Sequence, residues 1–292
     1  MQQTTLQTPQ HNPSLPVNSL ESTAACYPSI WQSWVIIAIV ILLTIVCIPT
    51  LQLGQLIGAE GAMMTYYLLT YGLSFFVVHS IRKRKLGASH FNFRIESWRL
   101  LLPLSIGSLA LLFGVAAPLS ALIPMPEAMK GSMQSAVGAT GILTFIYFVL
   151  AAPILEELTF RGMMLDGLLR KYQPTKAIVV SAFFFGLVHL NPWQFVTGFI
   201  LGCYLGWVYL RTASVSACIV IHMSANLSGY ALRLYLRFAE SSVQNDQTVA
   251  PSDPSSQIVT ILVLVIVFAA SVYWLQRETA NEASGTHQIP AA

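Results

Sequence analysis

The sequence predicts an all-α fold, a polytopic transmembrane helical bundle of about eight helices. Composition is the first observation behind this prediction, because 55% of the residues are hydrophobic and only 9% are charged, whereas a soluble globular protein carries roughly 25% charged residues. The second is a series of apolar stretches about twenty residues long, the length that a helix needs to cross a hydrocarbon core about 30 Å thick. A net charge of +3 is too small to indicate nucleic acid, so the lipid bilayer is the predicted partner.

The apolar stretches give the predicted elements in chain order. Residues 1–30 are expected to form a disordered polar tail, residues 31–277 the transmembrane domain and residues 278–292 a polar C-terminal tail. Pro153 is a candidate break in the fourth span, because proline lacks a backbone N–H. The predicted spans are Trp34–Leu53, Ala62–Ile81, Leu100–Leu122, Ile142–Leu169, Ala177–Leu190, Pro192–Leu210, Val215–Tyr235 and Ile258–Leu275.

Basic residues predict the orientation in the membrane. Under the positive-inside rule the loops that carry most of them are cytoplasmic, and so are both termini. Residues 1–30 contain no Lys or Arg, unlike a secretory signal or a transit peptide, so a bacterial plasma membrane is the expected location. The cytoplasmic set is Arg82, Lys83, Arg84, Lys85, Arg94, Arg99, Arg170, Lys171, Lys176 and Arg211, and the opposing set is Lys130, Arg233 and Arg237.

A row of glycines in the sixth span predicts a packing surface. Gly198, Gly202 and Gly206 are four residues apart and therefore lie on one side of a helix. Small residues at this spacing let the backbones of membrane helices approach closely. We expect a neighbouring helix to pack on this side.

Four polar residues in apolar spans are predicted to form one buried site. Glu156 lies about 21 Å along its helix from the basic end, and His189 lies about 18 Å into the next one. His222 and Asn226 lie about 16 and 22 Å into a third helix. Ionisable residues within a membrane are costly and are usually functional, so this shared depth indicates a site made by three helices.

Helical spacing divides these residues by role. Glu157 and Arg161 are four residues apart and are expected to form an ion pair, while Glu156 is rotated by about 100° and faces another neighbour. The set suits hydrolysis of a peptide bond by water, with Glu156 as the proton acceptor and His189 sharing that water. His222 and Asn226, again four apart, are candidate donors to the developing oxyanion.

These residues stand in strings that resemble three motifs of a known family. Glu156-Glu157-x-x-x-Arg161, Phe185-x-x-x-His189 and His222-x-x-x-Asn226 resemble the CAAX-protease and bacteriocin-processing (Abi) family of intramembrane glutamic endopeptidases, whose eukaryotic branch is the prenyl-protein endoprotease. The resemblance covers about residues 140–230. It implies that Glu156 and His189 hold the catalytic water, that His222 and Asn226 form the oxyanion hole, and that Glu157 and Arg161 support the site.

The same resemblance implies a peptide or protein substrate, either a prenylated CAAX-type tail or a small peptide. The alternative is a non-catalytic membrane scaffold, immunity protein or transporter that retains the family fold. A transporter is expected to show internal repeats, and we find none in the sequence. Two plainer interpretations also stay open, namely His189 as a histidine at a helix end and His222 with Asn226 as interhelical hydrogen-bonding groups.

A metal site is a further alternative for the same side chains. Two histidines and a carboxylate satisfy zinc and leave one position for water. The sequence lacks a His-Glu-x-x-His motif, however, and Asn226 is an uncommon zinc ligand. The prediction is therefore a site that needs neither a metal nor a cofactor.

Overall fold

The computed structural model of the protein describes residues 26–95, 97–127, 129, 131, 139–243 and 254–285, with side chains described up to 238 and again over 258–278. Its described part contains helices and no strand, which confirms the all-α prediction. The main helices, numbered in chain order, are α1 Ile30–Cys47, α2 Gly54–Leu86, α3 Trp98–Ala121, α4 Ile142–Leu169, α5 Pro174–Leu187, α6 Pro192–Thr212, α7 Val215–Val243 and α8 Pro254–Gly285.

Six helical stretches in the described residues are long and apolar enough to cross a membrane, which confirms an integral membrane protein. The first, Ile30–Leu86, contains both α1 and α2, joined by the short 3-10 helix Ile48–Leu53. These two helices pack together, since the Tyr66 hydroxyl donates to the Thr44 carbonyl at 3.3 Å. The count of eight is approximate because α5 is only 14 residues, about 21 Å long, and is short for a span.

Helix α4 passes through the core and changes its winding twice. Its π-helical segments are Ile146–Ala151 and Phe160–Leu165, and every residue of the second is buried. Pro153 does not break the helix, contrary to the expectation for this position. The N–H of Ala152 bonds to the carbonyl of Tyr147, five residues back, so the wider winding carries the chain past the missing N–H of Pro153.

Helix α2 holds α4 near both ends. At the start of α4, the backbone N–H of Gly141 donates to the Glu60 carboxylate at 2.7 Å. Toward its other end, the Arg82 guanidinium donates to the Gly162 carbonyl and to the Asp166 carboxylate, both at 2.5 Å. These contacts fix the depth of α4 relative to α2.

The glycine row of α6 packs against α5, as predicted. A Cβ built on Gly202 would lie 3.0 Å from the Ala182 Cα, and one built on Gly198 would lie 3.3 Å from the Gly186 Cα. Both distances are too tight for an ordinary side chain, so the small residues allow the close contact of α5 and α6. This contact positions the end of α5, where His189 follows.

Two differences from the predicted helix boundaries concern the site and the C-terminal tail. Helix α5 ends at Leu187, whereas the predicted span continues to Leu190. Asn191 is extended because Pro192 follows it, and its side chain caps α6 by accepting from the Gln194 N–H at 2.8 Å. Helix α8 continues to Gly285, into the predicted C-terminal tail. Three parts of the chain with predictions lie outside the described residues, namely residues 1–25 of the N-terminal tail, Lys130, and residues 286–292 of the C-terminal tail.

Candidate active site

Glu157 and Arg161 form the ion pair that their spacing predicts. The Arg161 Nη1 lies 2.8 Å from the Glu157 Oε1, and both side chains are almost fully buried, with 1% and 0% exposed. Arg161 also donates from Nη2 to the Gly202 carbonyl at 3.2 Å and lies 4.6 Å from the centroid of the Phe185 ring. One buried guanidinium therefore connects α4 to both α5 and α6.

His222 on α7 lies between the two glutamates. Its Nδ1 is 2.8 Å from the Glu157 Oε1, and its Nε2 is 3.9 Å from the Glu156 Oε2. Because a carboxylate accepts hydrogen bonds, the contact with Glu157 favours the tautomer with hydrogen on Nδ1. The Nε2 atom then faces Glu156 at a distance longer than a direct hydrogen bond.

Glu156 has a second neighbour that the sequence did not reveal. The Tyr67 hydroxyl, on α2, donates to the Glu156 Oε1 at 2.5 Å. The ring of Tyr71 stacks on Tyr67 with 4.4 Å between centroids, and Tyr147 lies at 6.1 Å. A glutamate that is only 5% exposed thus sits in an aromatic pocket and accepts a hydrogen bond from a tyrosine hydroxyl.

Asn226 lies one helical turn beyond His222 and contacts α4. Its Nδ2 donates to the Phe148 carbonyl at 2.8 Å. That carbonyl lacks a helical partner, since the Ala152 N–H bonds to Tyr147 and Pro153, five residues after Phe148, has no N–H. Asn226 therefore makes the interhelical hydrogen bond of the plainer interpretation, and its amide retains a second N–H.

His189 lies in the turn that follows α5, and not within the helix. Its Nδ1 is 2.9 Å from the Phe185 carbonyl, which matches the plainer interpretation of a histidine at a helix end. Its ring packs on Phe185 at 5.5 Å between centroids, and His222 packs on the same ring at 5.7 Å. Among the residues that the structure describes, no hydrogen bond joins His189 to Glu156, so the imidazole nearest to this carboxylate is that of His222.

The six predicted residues are therefore brought together unequally. Glu156, Glu157, Arg161 and His222 form one buried cluster with Tyr67, Asn226 holds the adjacent turn of α4, and His189 stands against Phe185 at the edge. Within the described part of the chain, no three His, Cys, Asp or Glu side chains converge in a way that could hold a metal ion. That the site works without a metal or a cofactor stays a prediction.

Comparison with known proteins relates part of the chain to a family. Neither a curated protein nor a solved structure matches the chain. Residues 138–228 match the family model described as "Rce1-like: Type II CAAX prenyl endopeptidase Rce1-like". The matched segment excludes Tyr67 and spans about a third of the 292 residues. It contains all six predicted site residues, and over this segment the resemblance to the CAAX-protease family is confirmed.

Proposed function

We propose that this protein is an intramembrane endopeptidase that hydrolyses a peptide bond at or near the membrane. The observation that carries the proposal is the buried Glu156 carboxylate, which faces the Nε2 of His222 at 3.9 Å inside a segment similar to type II CAAX prenyl endopeptidases. Activity as a CAAX-type membrane protease is supported at the level of that family. The roles of the individual residues in the reaction are also part of this proposal.

The 3.9 Å separation suits a shared water molecule. One water oxygen about 2.8 Å from each atom would form a triangle with the Glu156 Oε2 and the His222 Nε2. Glu156 would take a proton from this water as its oxygen bonds to the scissile carbonyl carbon. The same proton would pass to the amide nitrogen as the C–N bond breaks, which leaves a carboxylic acid and an amine.

The geometry favours His222 over His189 as the group that holds this water with Glu156. With its Nδ1–H directed to Glu157, His222 presents the Nε2 lone pair to the second hydrogen of the water. Glu157 thus acts on the reaction through His222, in the way that a buried carboxylate orients a histidine in a catalytic triad. The second N–H of Asn226 is then the candidate donor to the oxyanion. The Nδ1–H of His189 is directed to the Phe185 carbonyl, so the Nε2 of the neutral ring accepts hydrogen bonds and does not donate them.

Substrate, location and orientation are further parts of the proposal. The family description names prenyl endopeptidases, so we propose a peptide or protein substrate that is either a prenylated CAAX-type tail or a small peptide. The basic residues from the end of α2 to the start of α3, and from the end of α4 to the start of α5, support cytoplasmic loops at these positions. A bacterial plasma membrane with both termini in the cytoplasm is consistent with that pattern.

A census of new peptide termini tests the proposal. Cells would express the wild type, Glu156→Gln or Glu278→Gln at matched membrane levels, the last as a control with the same substitution on α8, outside the segment 138–228. We expect termini that occur with the wild type and the control and are lost with Glu156→Gln, because glutamine cannot accept the proton. These termini also give a reporter peptide, on which chelation with and without added zinc tests metal dependence.

The contrary result is equally specific. Identical termini from a folded, inserted Glu156→Gln variant and from the wild type would overturn the proposal that the protein is an enzyme. The scaffold that retains the family fold would then be the better description.

A further inference from the structure

A cavity lies at the end of α4 that follows Asp166, away from the candidate active site. Its volume is about 490 Å³, and it lies where α2 ends and α4 ends. Asp166, which binds one of its walls, is ten residues from Glu156 along α4, which corresponds to about 15 Å. The lining residues are Cys26, Arg82, Lys85, Leu86, Ala88, His90 and Arg170.

The walls of this cavity carry more positive than negative charge. Arg82 and Arg170 share one carboxylate, that of Asp166, at 2.5 and 3.2 Å. The hydrogen bond from Arg170 to Asp166 raises the pKa of the Arg170 guanidinium, so it stays charged. Lys85 places its ammonium 5.7 Å from the centroid of the Tyr27 ring and makes no ion pair among the described residues. Three cations therefore face one anion.

The Arg82 guanidinium is buried and incompletely satisfied. Only 3% of this side chain is exposed. Its two terminal nitrogens donate to Gly162 and Asp166, and its Nε has no hydrogen-bond partner in the described structure. The cavity is lined by this buried guanidinium and by two further cations, an arrangement that suits anions with several acceptor oxygens.

We propose that this cavity binds the phosphate of an anionic phospholipid headgroup. Phosphate suits the set because guanidinium groups match its oxygens in pairs and an ammonium adds a point charge. A lipid is the favoured source because the cavity lies where α2, part of a candidate membrane-spanning stretch, ends in four successive basic residues, Arg82 to Lys85. Basic pockets between membrane helices at this level bind anionic headgroups. This inference does not rest on the proposed peptidase activity.

Native mass spectrometry of the purified full chain in detergent tests the proposal. The probes are phosphatidylglycerol, phosphatidylcholine and inorganic phosphate. The test variant is Lys85→Gln/Arg170→Gln, and the matched control is Lys83→Gln/Lys171→Gln, which removes two exposed cations near the same ends of α2 and α4 without touching the lining. We expect the wild type and the control to prefer phosphatidylglycerol over phosphatidylcholine, and the test variant to bind phosphatidylglycerol at least tenfold more weakly.

Each remaining outcome decides the proposal. Equal binding of phosphatidylglycerol by the test variant and the control would overturn it, and so would tight binding of inorganic phosphate without any lipid preference, which would assign the cavity to free phosphate. If the test variant binds lipid normally but loses cleavage of a reporter peptide with acidic flanks, the cavity belongs to the peptide. Lys85→Gln alone, which breaks no ion pair, serves if the double variant does not fold.

Discussion

The two faces of α4 at Glu156 and Glu157 carry the same side chain at similar burial and are built differently. Glu157 is closed in by charged and hydrogen-bonding partners, with Arg161 and His222 each 2.8 Å from its Oε1. Glu156 receives one hydroxyl from Tyr67 and faces an imidazole nitrogen across 3.9 Å. Arg161 on α4 itself, together with His222 and Tyr67 on neighbouring helices, separates a carboxylate held in an ion pair from one that faces an imidazole across a gap.

After the loss of cleavage expected for Glu156→Gln, the largest effect is expected from His222, the imidazole that faces Glu156 on the open face of α4. His222→Gln should lower kcat/KM on a reporter peptide by about 10²–10⁴-fold, because the water would lose the group that orients it toward Glu156. His189→Gln, made in parallel, should cost less, because His189 lies across the Phe185 ring. The measurement is steady-state kinetics of both variants at equal folded concentration.

The two histidines also decide between two mechanisms. A loss with His189→Gln that equals or exceeds the loss with His222→Gln would contradict our assignment. The catalytic water would then be held by Glu156 and His189, as the family resemblance implies, and His222 would stabilise the oxyanion.

The closed face of α4, where Glu157 contacts Arg161 and His222, should govern the stability of the fold. Arg161→Met removes the partner of a fully buried carboxylate, and we expect it to cost about 3–5 kcal/mol of unfolding free energy. The side chain is almost completely enclosed, so solvent cannot replace the lost interaction. Denaturant unfolding in detergent measures the change.

A matched variant separates the two faces. Glu156→Gln should leave the unfolding free energy within about 1 kcal/mol of wild type, because glutamine can still accept the Tyr67 hydrogen bond. An Arg161→Met protein as stable as the wild type would show that the ion pair does not support the fold.

Local spacing was enough to predict the ion pair of the closed face and part of the site. The i, i+4 rule gives the Glu157–Arg161 pair, and the shared depth predicts the approach of Glu156 on α4 and His222 on α7. The contact of His222 with Glu157 was not predicted. The contact of Asn226 with Phe148 could not be inferred in this way. In a regular α-helix Pro153 would leave the Val149 carbonyl unpaired, and the π-helical winding that moves this vacancy to Phe148 is seen only in the structure. The i, i+4 spacing rule applies within one helix and does not predict contacts between helices.

The remaining contacts of the site depend on how the helices pack against one another. Tyr67 is one of several tyrosines on α2, with Tyr66 beside it and Tyr71 one turn later, and no spacing distinguishes the one that reaches Glu156. His189 was placed within a helix because its depth was counted along an uninterrupted span. The Asn191–Pro192 pair ends that span early, and the resulting turn directs His189 to the Phe185 carbonyl.

The smallest expected effect sharpens the role of Tyr67 on the open face. Tyr67→Phe removes one hydrogen bond to a charged carboxylate, an interaction of about 1.5–3 kcal/mol, so kcat should fall by about ten- to a hundredfold. KM should stay within about twofold, because the hydroxyl positions Glu156 and does not bind substrate. Tyr71→Phe is the matched control, since the Tyr71 ring stacks on Tyr67 but makes no hydrogen bond to Glu156 in the described structure.

Equal losses from Tyr67→Phe and Tyr71→Phe would mean that the aromatic pocket contributes by packing alone. A raised KM with unchanged kcat would instead assign Tyr67 to substrate binding. Only a fall in kcat confined to Tyr67→Phe fits a hydroxyl that fixes the Glu156 carboxylate where the 3.9 Å gap to His222 suits one water. The contrast between the two faces of α4 would then extend to α2, a helix that lies outside the matched segment.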